Sequence, residues 1–260
     1  RVADRFAFDC LYMTGYGSVA SSLGLPDAGL ASYTQMLDRV AMIAQTVRTP
    51  FIADGDTGYG GLLNVAHAVR GYEAAGASAI QLEDQVFPKK CGHTPNRRVI
   101  PAEDMVRKIR VAAESRTSKD FLIVARTDAR TEHGIDEALR RAELYGKAGA
   151  DILFVESPES EDEMRTICER VDKPLLANMV EGGRTPVKSR LVLEQLGYRI
   201  AIFPVTALLA ATEAMAAAYD ALKTQGSSAG MAQPLYPFSQ MSTLMGFQEV
   251  WDFEKKYAED

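Results

Sequence analysis

Cysteine is scarce in this chain: Cys10, Cys91 and Cys168 are the only three in 260 residues, an odd number at unrelated spacings. A disulfide framework and a CxxC zinc site are therefore unsupported, and a reducing, intracellular and cytoplasmic setting is expected. Positive charge is also short. With 29 Lys and Arg against 35 Asp and Glu, the formal net charge is −6. That balance argues against a nucleic-acid surface and gives no attraction to an anionic membrane. Apolar residues make up 47% of the chain, yet no run of them is long enough to span a bilayer. No basic-then-apolar leader opens the sequence, which starts at Arg1 rather than at a methionine, so its first residues do not assess targeting. Low-complexity sequence is confined to Thr224-Gln225-Gly226-Ser227-Ser228-Ala229-Gly230.

What the chain has in quantity is alternation. Short apolar runs and longer amphipathic ones follow each other at intervals of about 20 to 30 residues, the signature of repeated βα units. The pattern predicts strands over 6–12, 50–54, 79–83, 121–127, 152–156, 174–178 and 200–204, with an eighth near 18–20. Helices are expected over 34–47, 62–75, 102–113, 135–148 and 161–171, where apolar spacing and Pro, Ser, Asp and Gly punctuation agree. Eight such units make a (β/α)8, TIM-type barrel over residues 1–223. Residues 207–222 form an alanine-rich helix with almost no charge, which predicts burial on most sides. The remainder, 224–260, is a linker and a helical tail holding the only tryptophan, Trp251. That tail is too small for its own core and must pack on its own barrel or on another subunit.

Several expected strands end on polar residues: Asp54, Glu83, Arg126, Glu156 and Asn178. In a parallel barrel these ends converge on one face, where active sites are built. The segment Asp54-Gly55-Asp56-Thr57-Gly58-Tyr59-Gly60 places two carboxylates among glycines that let backbone approach a ligand. Alone it reads equally as an Asp-Gly turn. With Glu83 ending the next strand, Asp54 and Asp56 form a set suited to Mg2+, which takes few direct oxygen ligands and keeps several waters. Next comes Lys89-Lys90-Cys91-Gly92-His93, where neighbouring positive charge favours the thiolate and makes Cys91 a usable proton donor or acceptor. A lone cysteine is more often a small packing residue, which is how Cys10 and Cys168 read. His67, inside a helical run, and His133, beside Gly134, carry no functional signal.

Taken together, Gly24-Leu25-Pro26-Asp27, the 54–60 segment, Glu83-Asp84-Gln85, Lys89 to His93, Ala125-Arg126-Thr127-Asp128-Ala129 and Glu156 resemble the isocitrate lyase/phosphoenolpyruvate mutase superfamily across nearly the whole chain. The resemblance implies an (α/β)8 barrel, a Mg2+ site that Mn2+ can also fill, and a gating loop carrying Lys89 to His93. It also implies homotetramers that exchange C-terminal helices between barrels. Tyr12, Thr14, Gly15 and Tyr16 match the loop that holds a substrate carboxylate through backbone N–H groups. Asp54 corresponds to the most direct metal ligand, with Asp56, Glu83 and Asp27 acting through water. Arg126 corresponds to the substrate-carboxylate arginine, Glu156 and Asn178 to contacts at the far wall, and Gly92 to the substrate side of the gating loop. Cys91 would be the acid, oriented by His93, with Lys89 in the same catalytic set and Tyr12 as base.

The implied chemistry is C–C cleavage of a small 2-hydroxy dicarboxylate. The thiol disfavours the phosphonate-processing branch, whose loop lacks it. In the branch acting on 2-methylisocitrate, an arginine stands where this chain has Leu209, which cannot pair with a third carboxylate. Branch members that hydrolyse oxaloacetate typically carry serine at the place of Pro204, to meet the extra hydroxyl of a hydrated substrate. Pro204 offers apolar surface instead, so the expectation is 2,3-dimethylmalate cleaved to pyruvate and propionate, with oxaloacetate hydrolysis as the alternative.

Overall fold

The computed structural model describes residues 1–92 and 97–258. It divides into two compact units, one of Asp9–Thr206 and one of Arg1–Phe8 with Ala207–Asp260. The first holds the described strands: β1 (Leu11–Met13), β2 (Phe51–Asp54), β3 (Ala79–Glu83), β4 (Leu122–Thr127), β5 (Ile152–Val155), β6 (Leu176–Asn178) and β7 (Ile200–Ile202). Neighbours pair in parallel in the order β1 to β5, β6 pairs with β7, and a parallel bridge between Leu153 and Leu175 joins the two sets.

Period-two alternation explains how these strands curl around one core. Ile52, Ala79, Val124, Ile152, Phe154, Leu176 and Ile202 form a single buried cluster, joined by Tyr12, Leu122 and Ile200. One small cluster touching every strand requires a wall that bends back on itself, as in a TIM-type barrel. The intervening residues, among them Ala53, Ile80, Leu82, Ile123, Ala125 and Leu153, face a second cluster shared with the helices. Moving along each strand, the inward positions change from apolar to polar, so Asp54, Gln81, Glu83, Arg126 and Asn178 follow the apolar layer at the C-terminal ends.

In this unit the helices are α1 (Gly15–Leu23), α2 (Tyr33–Ala44), α3 (Leu62–Ala74), α4 (Ala102–Ser115), α5 (Arg130–Ala148), α6 (Glu161–Arg170) and α7 (Arg190–Leu196). The eighth strand expected near 18–20 is part of α1. A lone valine among Ser and Ala does not make a strand pattern, and Ser18 N–H donates to Thr14 O at 3.0 Å, the first helical bond. Gly24, at φ 63°, then ends the helix in the left-handed conformation that favours glycine. The first strand is shorter than expected because Ala3–Phe6 is a 3-10 turn and both Phe6 and Phe8 are exposed.

The second unit consists of α8 (Thr206–Gln225, from Ala207 on), α9 (Phe238–Met245) and α10 (Phe247–Tyr257), with the first eight residues. Burial of α8 on most sides, expected from its composition, is not seen: Ala221 is its only buried residue. Phe247 and Trp251 stack at 5.9 Å between centroids, and Arg5 Nη1 donates to Tyr236 Oη at 2.7 Å. Phe238, 86% exposed, and Phe253, 64% exposed, leave this unit rich in uncovered apolar surface. No helix among the described residues is long and apolar enough to cross a membrane.

Candidate active site

The C-terminal end of β2 turns into a loop whose backbone is tied to β3. Gly55 N–H donates to Gln81 O at 2.8 Å and Glu83 N–H to Asp56 O at 2.9 Å. Asp56 adopts φ 49°, rare for a residue with a side chain and typical of functional loops. Asp54 Oδ1 accepts from Asp56 N–H at 3.0 Å and from Gln81 Nε2 at 3.4 Å, while Oδ2 accepts from Gly15 N–H at 3.1 Å. Gly15 is required there, since a Cβ would stand 2.7 Å from Asp54 Oδ2. The buried ammonium of Lys89 lies 2.6 Å from Asp27 Oδ1 and 2.5 Å from Asp56 Oδ1. Burial, offset only in part by Lys89, pushes the Asp56 carboxyl up to about 7. Burial also drives Glu83 well above the ordinary carboxylate range despite Arg126.

Across the strand ends, Arg126 on β4 is enclosed by acceptors. Its Nε and Nη2 donate to Asp128 at 3.0 and 2.8 Å, Nη1 lies 3.2 Å from Glu83 Oε2, and Nη2 lies 3.4 Å from Glu156 Oε2. The guanidinium sits over the Phe154 ring at 5.3 Å. Arg97 forms a second ion pair with Asp128 and donates to Thr131 Oγ1 at 2.5 Å. Burial opposes the charge of Asp128, but Arg126 and Arg97 prevail and lower its carboxyl below the usual range. Behind this pair, Asp84 accepts from Thr127 Oγ1, Asp128 N–H, Arg141 and Tyr145 Oη. Asn178 Nδ2 reaches Glu156 Oε2 at 3.1 Å.

The segment carrying the thiol is bound to both groups. Gln85 clamps Lys90 at two points, Oε1 accepting its N–H at 3.0 Å and Nε2 donating to its carbonyl at 2.8 Å. Cys91 N–H donates to Asp27 O at 3.2 Å, and Gly92 O accepts from Ser157 Oγ at 3.1 Å. Gly92 is packed so closely that a Cβ would meet Arg126 Nη2 and lie 2.7 Å from Glu156 Oε2. Cys91 is half-buried and in no disulfide. His93, expected to orient the thiol, lies outside the described residues.

The structure thus gathers Asp27, Asp54, Asp56, Glu83, Lys89, Gly92, Arg126, Glu156 and Asn178 into one network. Thr14, Gly15 and Tyr16 form the start of α1 beside Asp54, where N–H groups have no helical partner. Gly15 has already given its N–H to Asp54, which leaves those of Tyr16 and Gly17 for an anion. Pro204 follows β7 and is half-buried. The expectation of a base at Tyr12 does not match its environment. Its phenol donates to Gln81 Oε1 at 2.8 Å, and burial together with Asp54 raises its pKa well above the usual value, so it stays protonated.

Four contributors, Gln81, Gln85, Arg97 and Asp128, were given no role from the sequence, although Gln85 and Asp128 stand within its motifs. Gln81 and Asp128 were legible in principle, because each lies two residues from a recognised strand-end group and so shares its face. Gln85 and Arg97 were not, since only folding brings them to Lys90 and Asp128.

The donor set fits a hard divalent cation. Glu83 Oε1 is buried without a hydrogen-bond partner, and Asp27, Asp54, Asp56, Glu83, Asp128 and Glu156 outnumber Lys89, Arg97 and Arg126. Among the described residues no three such groups stand as a ready-made ligand cluster.

A family model described as phosphoenolpyruvate phosphomutase matches residues 1–223. The chain is 50% identical over 258 residues to 2,3-dimethylmalate lyase of Eubacterium barkeri, covering 99% of this chain and 89% of that protein. To 2-methylisocitrate lyase of Aeropyrum pernix it is 43% identical over 258 residues, covering 99% and 82%. A solved oxaloacetate acetylhydrolase in complex with 3,3-difluorooxalacetate superposes with a TM-score of 0.93 at 32% identity, covering 100% of this chain and 88% of that one.

Proposed function

This chain belongs to the phosphoenolpyruvate mutase/isocitrate lyase superfamily, and from that premise we propose that it is a metal-dependent carbon–carbon lyase cleaving 2,3-dimethylmalate to pyruvate and propionate. The observation that carries the lyase reading is the lodging of the Cys91–Gly92 segment between a carboxylate set and the Arg126–Glu156 pair. A proton donor is thereby held where a dicarboxylate would span the pocket. When bound, Mg2+ supplies Lewis-acid charge beside the substrate's 2-hydroxyl and the adjoining carboxylate. Asp54, Asp56, Glu83 and Asp27 would hold it, and Mn2+ fits the same donors.

The chain's own groups do the rest. The N–H groups of Tyr16 and Gly17, at the positive end of α1, receive the carboxylate next to the hydroxyl. Arg126, two of its nitrogens fixed by Asp128, would meet the distal carboxylate through Nη1, the nitrogen that here lies 3.2 Å from Glu83 Oε2. As the C2–C3 bond breaks, its electrons enter the distal carboxylate, which Arg126 and Lys89 stabilise as an aci-carboxylate. Cys91 then gives a proton to C3, completing propionate and leaving a thiolate; the 2-hydroxyl proton passes to water as the C2 carbonyl of pyruvate forms, and one proton taken back from water restores the thiol. Tyr12, kept neutral, orients Gln81 and through it Asp54.

Pro204 supports the substrate choice. It offers a methyl group apolar contact and offers a second hydroxyl no donor, a difference of about 1–3 kcal/mol. The structural likeness to oxaloacetate acetylhydrolase favours oxaloacetate hydrolysis as the second reading. A Mg2+-supplemented assay offering 2,3-dimethylmalate, oxaloacetate and 2-methylisocitrate side by side, with products identified, separates the readings. The highest kcat/KM should fall to dimethylmalate, and Pro204→Ser should move preference toward oxaloacetate. A native enzyme that prefers oxaloacetate overturns the alkylmalate reading, and one that prefers 2-methylisocitrate overturns the argument from Leu209. The uncovered apolar surface of α8 to α10 supports a homo-oligomer, a tetramer with exchanged C-terminal helices, which sedimentation velocity would test.

A further inference from the structure

We propose that Lys89 is an intramolecular occupant of the cation site, so that a divalent ion and the Lys89 ammonium compete for the same carboxylates. The inference rests on the reading of Asp27, Asp54, Asp56 and Glu83 as that site. Lys89 is 2% exposed, and its Nζ bridges Asp27 Oδ1 at 2.6 Å and Asp56 Oδ1 at 2.5 Å. Asp54 is close as well, because a Cβ built on Gly15 would lie 2.7 Å from Asp54 Oδ2 and 3.5 Å from Lys89 Nζ.

The fit is that of a substitute. Asp56 Oδ1 meets the ammonium at 2.5 Å and has no partner besides it among the described residues. Among the described residues Lys89 is the one cation paired with Asp27 and Asp56, and Arg126 faces Glu83 from the other side, so the group as a whole keeps an excess of carboxylates that a doubly charged ion corrects and a lysine does not. Two cations cannot share that point, since their repulsion in a buried setting is large.

Displacement needs little rearrangement of the chain. The backbone that follows Lys89 is tied down by the Gln85 clamp on Lys90 and by the bond from Cys91 N–H to Asp27 O. The four-carbon stem of Lys89 can therefore swing while the thiol's residue stays in place. Loading the ion releases a mobile cation beside Cys91, where it can meet a substrate carboxylate. The expected consequence is order: the divalent ion enters first, and the site becomes fully cationic toward the dicarboxylate only afterwards.

The test is Mn2+ binding to the metal-stripped full-length chain without substrate, by electron paramagnetic resonance and calorimetry, for the native protein, Lys89→Met and Lys89→Gln. Both variants should bind Mn2+ roughly tenfold more tightly or better, the order expected for removing one competing charge from a buried site. Asp54→Ala should abolish binding in either background, tying it to these carboxylates. Should the variants fold poorly without metal, melting temperature gives a second reading: saturating Mn2+ should raise it more in Lys89→Met than in the native chain. Equal or weaker Mn2+ binding by both variants, with native binding intact, overturns the competition. Absence of Mn2+ binding in native and variant proteins alike overturns the cation site itself, and the inference falls with it.

Discussion

Around Arg126, each charge is answered: Asp128 takes Nε and Nη2, Glu83 lies against Nη1, Glu156 lies against Nη2 as well, and Arg97 braces Asp128 from behind. Around Asp54, a short distance along the same strand ends, Asp27 and Asp56 share the Lys89 ammonium, and Glu83, which meets Arg126 through Oε2, keeps Oε1 without a hydrogen-bond partner. The same fold layer thus contains a saturated half and an unsaturated half. Preorganised charge in the first lets a guanidinium wait for a carboxylate without rearranging, because its orientation is already fixed. Unanswered charge in the second is a demand that a ligand from outside must meet. The two halves should fail differently.

The largest effect is expected from the unsaturated half. Asp54→Ala removes the acceptor that links Gly15, Asp56 and Gln81, and turnover should fall below detection together with Mg2+ binding measured by calorimetry. Near-native turnover in this variant would break the contrast at its base. Between the halves, Cys91→Ser replaces an acidic thiol with a much weaker acid of similar shape. Single-turnover kinetics should show the chemical step slowed by about 10² to 10⁴ with KM nearly unchanged. A matching loss in KM would make the residue a packing element instead.

In the saturated half, Asp128→Asn leaves Arg126 and Arg97 facing an amide, and denaturant unfolding should register a loss of about 3–5 kcal/mol, as for a broken buried ion pair. KM for substrate should rise as Arg126 loses its orientation. A loss below about 1 kcal/mol would mean that the network is not what holds this half. The smallest effect separates the halves by pH. Asp56, raised from 3.8 to about 7 by burial, keeps a proton when folded that it surrenders when unfolded. Its contribution to stability is therefore full below about 4 and lost as pH rises through about 7. Asp128, lowered from 3.8 by Arg126 and Arg97 against the effect of burial, contributes above about 4 and loses its contribution as pH falls through its depressed value. Melting temperatures of the metal-stripped protein should decline from pH 5 to pH 8, and added Mg2+ should flatten that decline. A decline that Mg2+ leaves untouched would show that the carboxylates are not waiting for an ion.

Much of the frame was legible before folding. The strand over 79–83 is present residue for residue, and the polar strand ends do converge, because inward positions repeat every two residues and change from apolar to polar along each strand. Helix α1 was not legible. Its two glycines weaken any helical signal, and what makes it a helix is Gly24 and packing of Val19 against the core. The pairing of Lys89 with Asp27 and Asp56 and that of Arg97 with Asp128 join distant parts of the chain, so periodicity cannot reveal them. Glu156 and Asn178 were legible as converging strand ends, whereas the placing of Cys91 beside them was readable only through the resemblance of several motifs at once. The exposed state of α8 was missed because composition reports that an apolar helix needs cover, not which surface supplies it.

Gly15 and Gly92 bear on how such a pocket can change over descent. At each, the smallest added side chain would strike a charged group, Asp54 at one and Arg126 with Glu156 at the other. Under the proposed function, the distance between the two ends of the reacting molecule would thus be written into bare main chain, where substitution has almost nothing to vary. Novelty must enter elsewhere, at positions such as Pro204, which under the proposed function would meet the substrate without setting that span. A lineage built on this frame inherits its chemistry as spacing and diversifies its diet through a few replaceable walls.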